Sequence, residues 1–89
     1  MDFPFIEKRI SSNKFLREFK ETTDSEELIW HLDKEKRIVH VLESNGWKLQ
    51  YDNKLPVLLE EGKTYVIEAF VYHRILKGKG DLKVIVEKL

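Results

Sequence analysis

Residues 37–51 read RIVHVLESNGWKLQY, and this stretch decides the fold class. Residues 37–43 are rich in β-branched side chains, and residues 47–51 alternate between apolar and polar ones, as a strand with one buried face does. Asn45 and Gly46 separate the two runs, and both residue types accept the positive φ that a primed turn requires. The stretch therefore predicts two strands joined by a tight turn.

The chain beyond this stretch has the same character. Apolar runs at residues 28–32, 55–59, 64–67, 71–76 and 82–86 alternate with polar or glycine-containing turns. Pro56 suits the start of a strand or an edge position, because proline cannot donate to a sheet. Short strands at this spacing predict an all-β fold, a small barrel or jelly roll. A barrel of this size encloses its own side chains or one small ligand.

The sequence predicts an N-terminal arm at residues 1–26, whose pattern fits more than one element, and a barrel domain at residues 27–89. Residues 5–10 have the composition of a short strand. Ser11, Ser12 and Asn13 can cap a helix, which would place Phe15 and Phe19 on one face of a helix over residues 13–20. A strand fits residues 13–20 nearly as well. Residues 22–25 have the composition of a loop.

Composition narrows the classes of function. Eighty-nine residues provide one core. Sixteen Lys and Arg balance sixteen Asp and Glu, so the basic excess typical of nucleic-acid binding is absent. No apolar run reaches the roughly 18 residues of a membrane span. There is no cysteine, and the N-terminal residues lack the apolar segment of a signal peptide. We expect a cytoplasmic protein that binds neither nucleic acid nor membrane.

Two histidines and one carboxylate form the candidate site. His31 and Asp33 lie two positions apart, so on a strand both side chains point to one face. His73 would come from a neighbouring strand. Two imidazoles and one carboxylate with open coordination positions suit a divalent metal, Fe(II) first and also Mn, Ni or Zn. His31, Asp33 and His73 are therefore the predicted metal ligands.

Arg37 argues against a metal at this site. A guanidinium is always charged and cannot bind a cation, and its ion pair with Asp33 would make the site structural. Glu35 could substitute as a ligand, but it lies in the charged turn at residues 33–36. A second interpretation keeps the pocket without a metal and binds a small anion, with three residues as the predicted ligand contacts: Arg37, Tyr72 and Arg74. The catalytic residues, if there are any, cannot be named from the sequence.

The barrel segment, about residues 27–87, resembles a minimal single-domain cupin. Gly62 and His73 have the spacing of the family's second motif, with Glu68 and Phe70 at its Pro and second Gly positions. His31 and Asp33 fill the first two ligand positions of the first motif, and Arg37 stands where that motif has a Glu ligand. The Trp30-His31-Leu32-Asp33 segment is similar to one in small uncharacterised cupin-like proteins, some of them phage-encoded. The resemblance implies a barrel with a central pocket.

Two functions from different classes follow. The first is a pocket protein that binds a divalent metal or a small anion through His31, Asp33 and His73, with or without enzymatic activity. The second is a non-catalytic structural or interaction domain with a decayed metal site, acting as a homodimer. The 2-oxoglutarate oxygenases also use His-X-Asp with a distant His, but 89 residues are short for their core.

Other motifs have ordinary structural interpretations. His40 opposes Val39 and Val41 in parity, so we expect it on the outer surface. The aromatic residues Trp30, Trp47, Phe70 and Tyr72 are expected in packing or dimer contacts. The run at residues 77–80 lacks the full phosphate-loop pattern and predicts a turn.

Overall fold

The computed structural model describes residues 6–22 and 28–89. Within these ranges the chain forms eight strands and no α-helix, as the all-β prediction requires. The strands are β1 (Ile6–Arg9), β2 (Lys14–Phe19), β3 (Arg37–Glu43), β4 (Lys48–Tyr51), β5 (Val57–Leu58), β6 (Thr64–Ile67), β7 (His73–Leu76) and β8 (Leu82–Lys88). The described part of the chain has no helix long and apolar enough to cross a membrane.

The strands form two antiparallel sheets. The larger sheet has the order β1-β2-β8-β3-β6, and the smaller one has the order β5-β4-β7. Inward-facing side chains from both sheets form one apolar core: Phe19, Val39, Val41, Trp47, Leu49, Leu59, Ile67, Leu82, Val84 and Val86. Two sheets that share a core in this way form a small flattened barrel.

The turn between β3 and β4 has the predicted geometry. Asn45 and Gly46 both have positive φ, 56° and 84°. The two strands do not pair with each other, however. β3 pairs with β6 and β8, whereas β4 pairs with β5 and β7. The tight turn therefore carries the chain from one sheet to the other, and the runs on both sides of it line opposite walls of the core.

Trp47 is a fully buried residue of the core. Its side chain is 0% exposed, and its indole Nε1 donates a hydrogen bond of 2.8 Å to the carbonyl of Gly80. This bond satisfies the one polar group of a buried tryptophan. It also ties the predicted turn at residues 77–80 to the turn at Asn45, whose carbonyl accepts a hydrogen bond from the backbone of Lys79.

Gly78 permits this contact between the two turns. A Cβ at position 78 would lie 2.1 Å from the Asn45 carbonyl oxygen and 2.7 Å from the backbone nitrogen of Trp47. We expect Gly78→Ala to lower the free energy of unfolding by about 2 kcal/mol, because a backbone must shift to accept the methyl group. Urea denaturation followed by circular dichroism measures this. The exposed neighbour Lys79→Ala is the control, and an equal loss in both variants would contradict the steric explanation.

The helix considered for residues 13–20 is wrong, and the alternative strand is correct. Lys14–Phe19 pairs along its whole length with β8, from Lys14 opposite Glu87 to Phe19 opposite Leu82. The sheet satisfies the backbone hydrogen bonds of this segment, and the alternation of the strand turns Arg17 and Phe19 to the buried face. β1 then pairs on β2 at the sheet edge. Of the predicted loop at residues 22–25, residues 23–25 lie outside the described residues.

Candidate metal centre

Two backbone hydrogen bonds bring the candidate histidines together. The N–H of His31 donates to the carbonyl of His73 at 3.0 Å, and the N–H of His73 donates to the carbonyl of His31 at 2.9 Å. This antiparallel bridge extends the smaller sheet beyond β7. The two imidazole rings are in edge contact, with centroids 4.3 Å apart and planes at 62°. The structure thus joins segments that the sequence separates by about forty residues.

Both imidazoles have the same tautomer. Nδ1 of His31 lies 2.9 Å from the carbonyl of Ile29, and Nδ1 of His73 lies 2.9 Å from the carbonyl of Val71. A carbonyl only accepts, so each Nδ1 carries the proton. Nε2 is then the nitrogen that each ring offers to a ligand. Metal-binding histidines commonly have this arrangement, because a backbone carbonyl on the other nitrogen fixes the ring and raises its basicity.

The two carboxylate oxygens of Asp33 have different neighbours. Oδ1 lies 3.4 Å from Nη2 of Arg37, and Oδ2 lies 3.4 Å from Nε2 of His73. The side chain is 12% exposed. Oδ2 is buried and accepts no hydrogen bond from any residue that the structure describes. Arg37 forms the ion pair that the sequence predicted, yet it uses Oδ1 and leaves Oδ2 facing the histidines.

The donor atoms fit a divalent metal. One nitrogen from each histidine and one Asp33 oxygen lie within 4.8 Å of one another. Adjacent donors around a first-row metal are about 3 Å apart, because each bond is about 2.1 Å long. The donor atoms would have to approach one another by up to about 2 Å to surround a metal. Glu35 is outside this group. Its carboxylate is partly exposed and lies 3.8 Å from Arg37 Nη2.

A cavity of about 50 Å³ begins at this group and continues into the barrel. Its wall is mostly aliphatic, and four polar or charged side chains line it: Arg17, Asp33, Arg37 and His73. Arg17 was missed by sequence reasoning, because arginine is rarely buried. Its alternation with Phe15 and Phe19 was the available signal, since the three share one face of a strand.

Tyr72 and Arg74 do not join the group. Alternation along β7 places Arg74 on the opposite face from His73. There its Nε donates to Gln50 Oε1 at 2.9 Å, and its guanidinium lies 4.6 Å from the centre of the Trp30 ring. Tyr72 is half exposed. Neither of these two predicted ligand contacts lines the cavity that Arg37 and His73 line.

The predictions for the other aromatic residues and for His40 have different outcomes. Trp47 is in the core, which confirms packing for this residue. The side chains of Trp30, Phe70 and Tyr72 are exposed, and for them dimer contacts stay a prediction. His40 is partly exposed as predicted, with Nε2 lying 3.3 Å from Glu87 Oε1.

Tyr51 is opposite His73 on the adjacent strand. Burial, and then the charge of Glu68, raises the pKa of Tyr51, whose hydroxyl donates to the carbonyl of Val66.

Phe70 has a conformation that suits glycine. Its φ is +60°, in the left-handed region, and it stands at a position where the cupin motif has Gly. In this turn the backbone N–H of Phe70 donates a 2.8 Å hydrogen bond to the carbonyl of Asp33. The loop at residues 69–72 thus holds the backbone of a candidate ligand.

We expect Phe70→Gly to raise the free energy of unfolding by about 1 kcal/mol. The substitution removes the clash between Cβ and carbonyl that a left-handed L-residue suffers. The Phe70 side chain is 67% exposed, so little apolar burial is lost. Thermal and urea denaturation test this expectation. Tyr72 is also an exposed aromatic residue, but its φ is not positive, so Tyr72→Gly should lower the free energy of unfolding. A similar change in the free energy of unfolding of both variants would contradict strain at residue 70.

Comparisons with known proteins support the fold. No family model matches the chain, and no curated protein matches it by sequence. Among solved structures, the chain is similar to a cupin-2 domain protein from Shewanella frigidimarina, with 18% identity, a TM-score of 0.69, and coverage of 96% of this chain and 79% of that one. It is also similar to a cupin domain from Bordetella pertussis, with 14% identity, a TM-score of 0.64, and coverage of 100% and 98%.

A third similar structure is that of FeII HppE. The identity is 21%, the TM-score is 0.66, and the match covers 85% of this chain and 42% of that protein. At these identities the likeness establishes the fold alone. The chain therefore has a small all-β cupin-like fold, as its motif spacing predicted.

Proposed function

We propose that this protein is a cupin-fold pocket protein that binds a divalent metal, Fe(II), Mn(II), Ni(II) or Zn(II), through His31, Asp33 and His73. The observation that carries the proposal is the buried Asp33 Oδ2, which accepts no hydrogen bond from the described residues and lies 3.4 Å from His73 Nε2. A buried carboxylate oxygen in this condition is costly unless a cation satisfies it. The similar structures include one of an FeII protein, which supports the same class of metal.

Each protein group has a defined task at this centre. The two Nδ1–H groups donate to backbone carbonyls and leave both Nε2 atoms available as ligands. Arg37 holds Asp33 through Oδ1 and limits the charge that the carboxylate can offer. A bound metal would supply Lewis acidity and open positions for a small ligand. The aliphatic wall of the cavity excludes bulk water from that ligand.

Metal titration tests the proposal. Tag-free protein is stripped with a chelator and titrated calorimetrically with Fe(II), Mn(II), Ni(II) and Zn(II), and its metal content as purified is measured by elemental analysis. We expect one metal per chain. His31→Ala and His73→Ala should each abolish binding, whereas His40→Ala, which removes a histidine from the outer face, should retain it. Circular dichroism confirms that each variant is folded. Absence of binding for all four metals, or binding unchanged in folded His73→Ala, would contradict the proposal.

The second candidate is a metal-free structural or interaction domain that acts as a homodimer. The ion pair between Arg37 and Asp33 favours it, because a cation at 3.4 Å already neutralises the carboxylate. Leu55, Val57 and Leu58 are exposed around β5, an edge strand of the smaller sheet, and offer apolar surface for association. Sedimentation equilibrium of the metal-free protein measures this: a dimer with no metal affinity would favour the second candidate. A cytoplasmic location and a phage-type origin stay predictions.

A further inference from the structure

The cavity holds more positive charge than a metal site requires. Arg17 reaches it from β2 and Arg37 from the start of β3. Arg17 is 7% exposed, and its Nε donates to Glu7 Oε1 at 2.8 Å. A buried guanidinium is costly unless it is paired, and each carries five N–H donors that need acceptors. Arg17 is already paired with Glu7, so what favours an anion is the positive potential that two guanidinium groups bring to one small apolar cavity.

Arg37 provides the more specific indication. Its Nη2 lies 3.4 Å from Asp33 Oδ1, but its Nε is buried and has no hydrogen-bond acceptor among residues 6–22 and 28–89. Buried donors of this kind are rare in folded proteins and mark a place where a ligand atom or water belongs. The acceptor that suits a guanidinium best is an oxyanion that can take two parallel hydrogen bonds.

The charge balance of the cavity relates the Arg37 guanidinium to the proposed metal. Without a metal, Asp33 is shared between Arg37 and His73. With a divalent cation, Asp33 would face the metal and Arg37 together. The partly exposed Glu35, 3.8 Å from Arg37 Nη2, offsets part of the added charge, and the rest is excess positive charge in a cavity with an aliphatic wall. Coulomb repulsion is several-fold stronger there than in water. An anion that binds between the metal and the guanidinium groups removes the excess, so each ligand should favour the other.

We propose that the cavity binds a short-chain carboxylate together with the metal, with Arg37 and Arg17 as the residues that recognise the carboxylate. This inference rests on the proposed metal function and names its ligand class. The volume of about 50 Å³ limits the hydrocarbon part to a short chain. Aliphatic side chains such as Leu49, Leu59 and Ile67 line the wall, which favours a carboxylate with an apolar tail over an inorganic oxyanion.

Coupled titration tests the proposal. Chelator-treated protein is titrated with Ni(II) at increasing propionate, with perchlorate to keep the ionic strength constant and with sulfate as the inorganic oxyanion. We expect propionate to tighten Ni(II) binding by about tenfold, the size of an ordinary coupling between sites. Complexation of free Ni(II) by propionate would act in the opposite direction. Equal tightening by sulfate and propionate would overturn the carboxylate assignment.

Two variants and one control locate the effect. Arg17→Gln should remove most of the tightening, measured as the ratio of its Ni(II) affinities with and without propionate. Arg37→Gln should strengthen Ni(II) binding without propionate and lose the tightening, and this gain cannot come from misfolding. Arg9→Gln removes an exposed arginine from the same hairpin and should keep the full tightening.

The outcomes separate the two proposals. Ni(II) binding that does not respond to propionate would overturn the carboxylate site and leave the metal function standing. Failure to bind Ni(II) or the other three metals, with or without propionate, would overturn both. Tightening that persists in folded Arg17→Gln and Arg37→Gln would place the carboxylate elsewhere and overturn the assignment of these residues.

Discussion

Replacement of Arg37 by glutamate should raise the affinity of the protein for divalent metals by about a hundredfold or more. The guanidinium lies 3.4 Å from an oxygen of Asp33 and is 16% exposed, so its repulsion of a bound cation is only partly screened. Two charges a few ångströms apart at a partly buried site interact by a few kcal/mol, which is the size of this effect. The variant also places a carboxylate at the position where the cupin motif has its Glu ligand.

Isothermal calorimetry and the metal-dependent rise in melting temperature measure the effect. Without metal, Arg37→Glu should be less stable than the parent protein, because it places two carboxylates side by side. Saturating metal should reverse the loss. Lys36→Glu makes the same change in charge at the neighbouring position, where the side chain is about half exposed, and should leave metal affinity nearly unchanged. Similar gains in both variants would indicate a general charge effect rather than a site at Asp33.

Trp47→Ala should cost about 3–5 kcal/mol of unfolding free energy, the range for truncation of a fully buried large aromatic residue. The side chain is completely buried and lies against Phe19, with ring centroids 6.1 Å apart. The substitution also leaves the carbonyl of Gly80 without its donor. Because small domains have only about 5–15 kcal/mol of stability in total, the variant should be close to unfolding at room temperature.

Urea denaturation monitored by far-ultraviolet circular dichroism gives this number. Trp30→Ala is the matched control, because Trp30 is 41% exposed and its contact is the cation–π interaction with Arg74. Such a contact contributes about 1 kcal/mol at an exposed site. A cost for Trp30→Ala equal to that for Trp47→Ala would show that the two tryptophans have similar structural roles and that the burial described above is wrong.

The sequence predicted the parts of the fold that local chemistry decides. Asn45 and Gly46 have the positive φ that their residue types favour, and the alternation of Trp47, Leu49 and Tyr51 gives the buried face of β4. The spacing of His31, Asp33 and His73 predicted a common site, and the structure brings the three together. In each case a short pattern determines the outcome almost independently of the rest of the chain.

The remaining features depend on long-range pairing. Residues 13–20 satisfy a helical and a strand pattern alike, and only the pairing with β8 decides between them. Arg17 is buried because that pairing makes the segment a strand and turns it inward on the same face as Phe15 and Phe19, whereas arginine as a residue type is usually exposed. Tyr72 and Arg74 were predicted as contacts of a small anion, yet neither lines the cavity, because adjacent residues on a strand face opposite sides.

The central position of β8 has a consequence for how fast this chain reaches its native state. β8 pairs on one side with β2 and on the other with β3, so Lys14 meets Glu87 across 73 positions of the sequence and Val39 meets Val86 across 47. The entropy of closing such large loops is lost before the contacts they allow are formed. Two-state domains dominated by distant strand pairs fold in roughly milliseconds to seconds. This small protein should therefore fold far more slowly than a helical bundle of equal length.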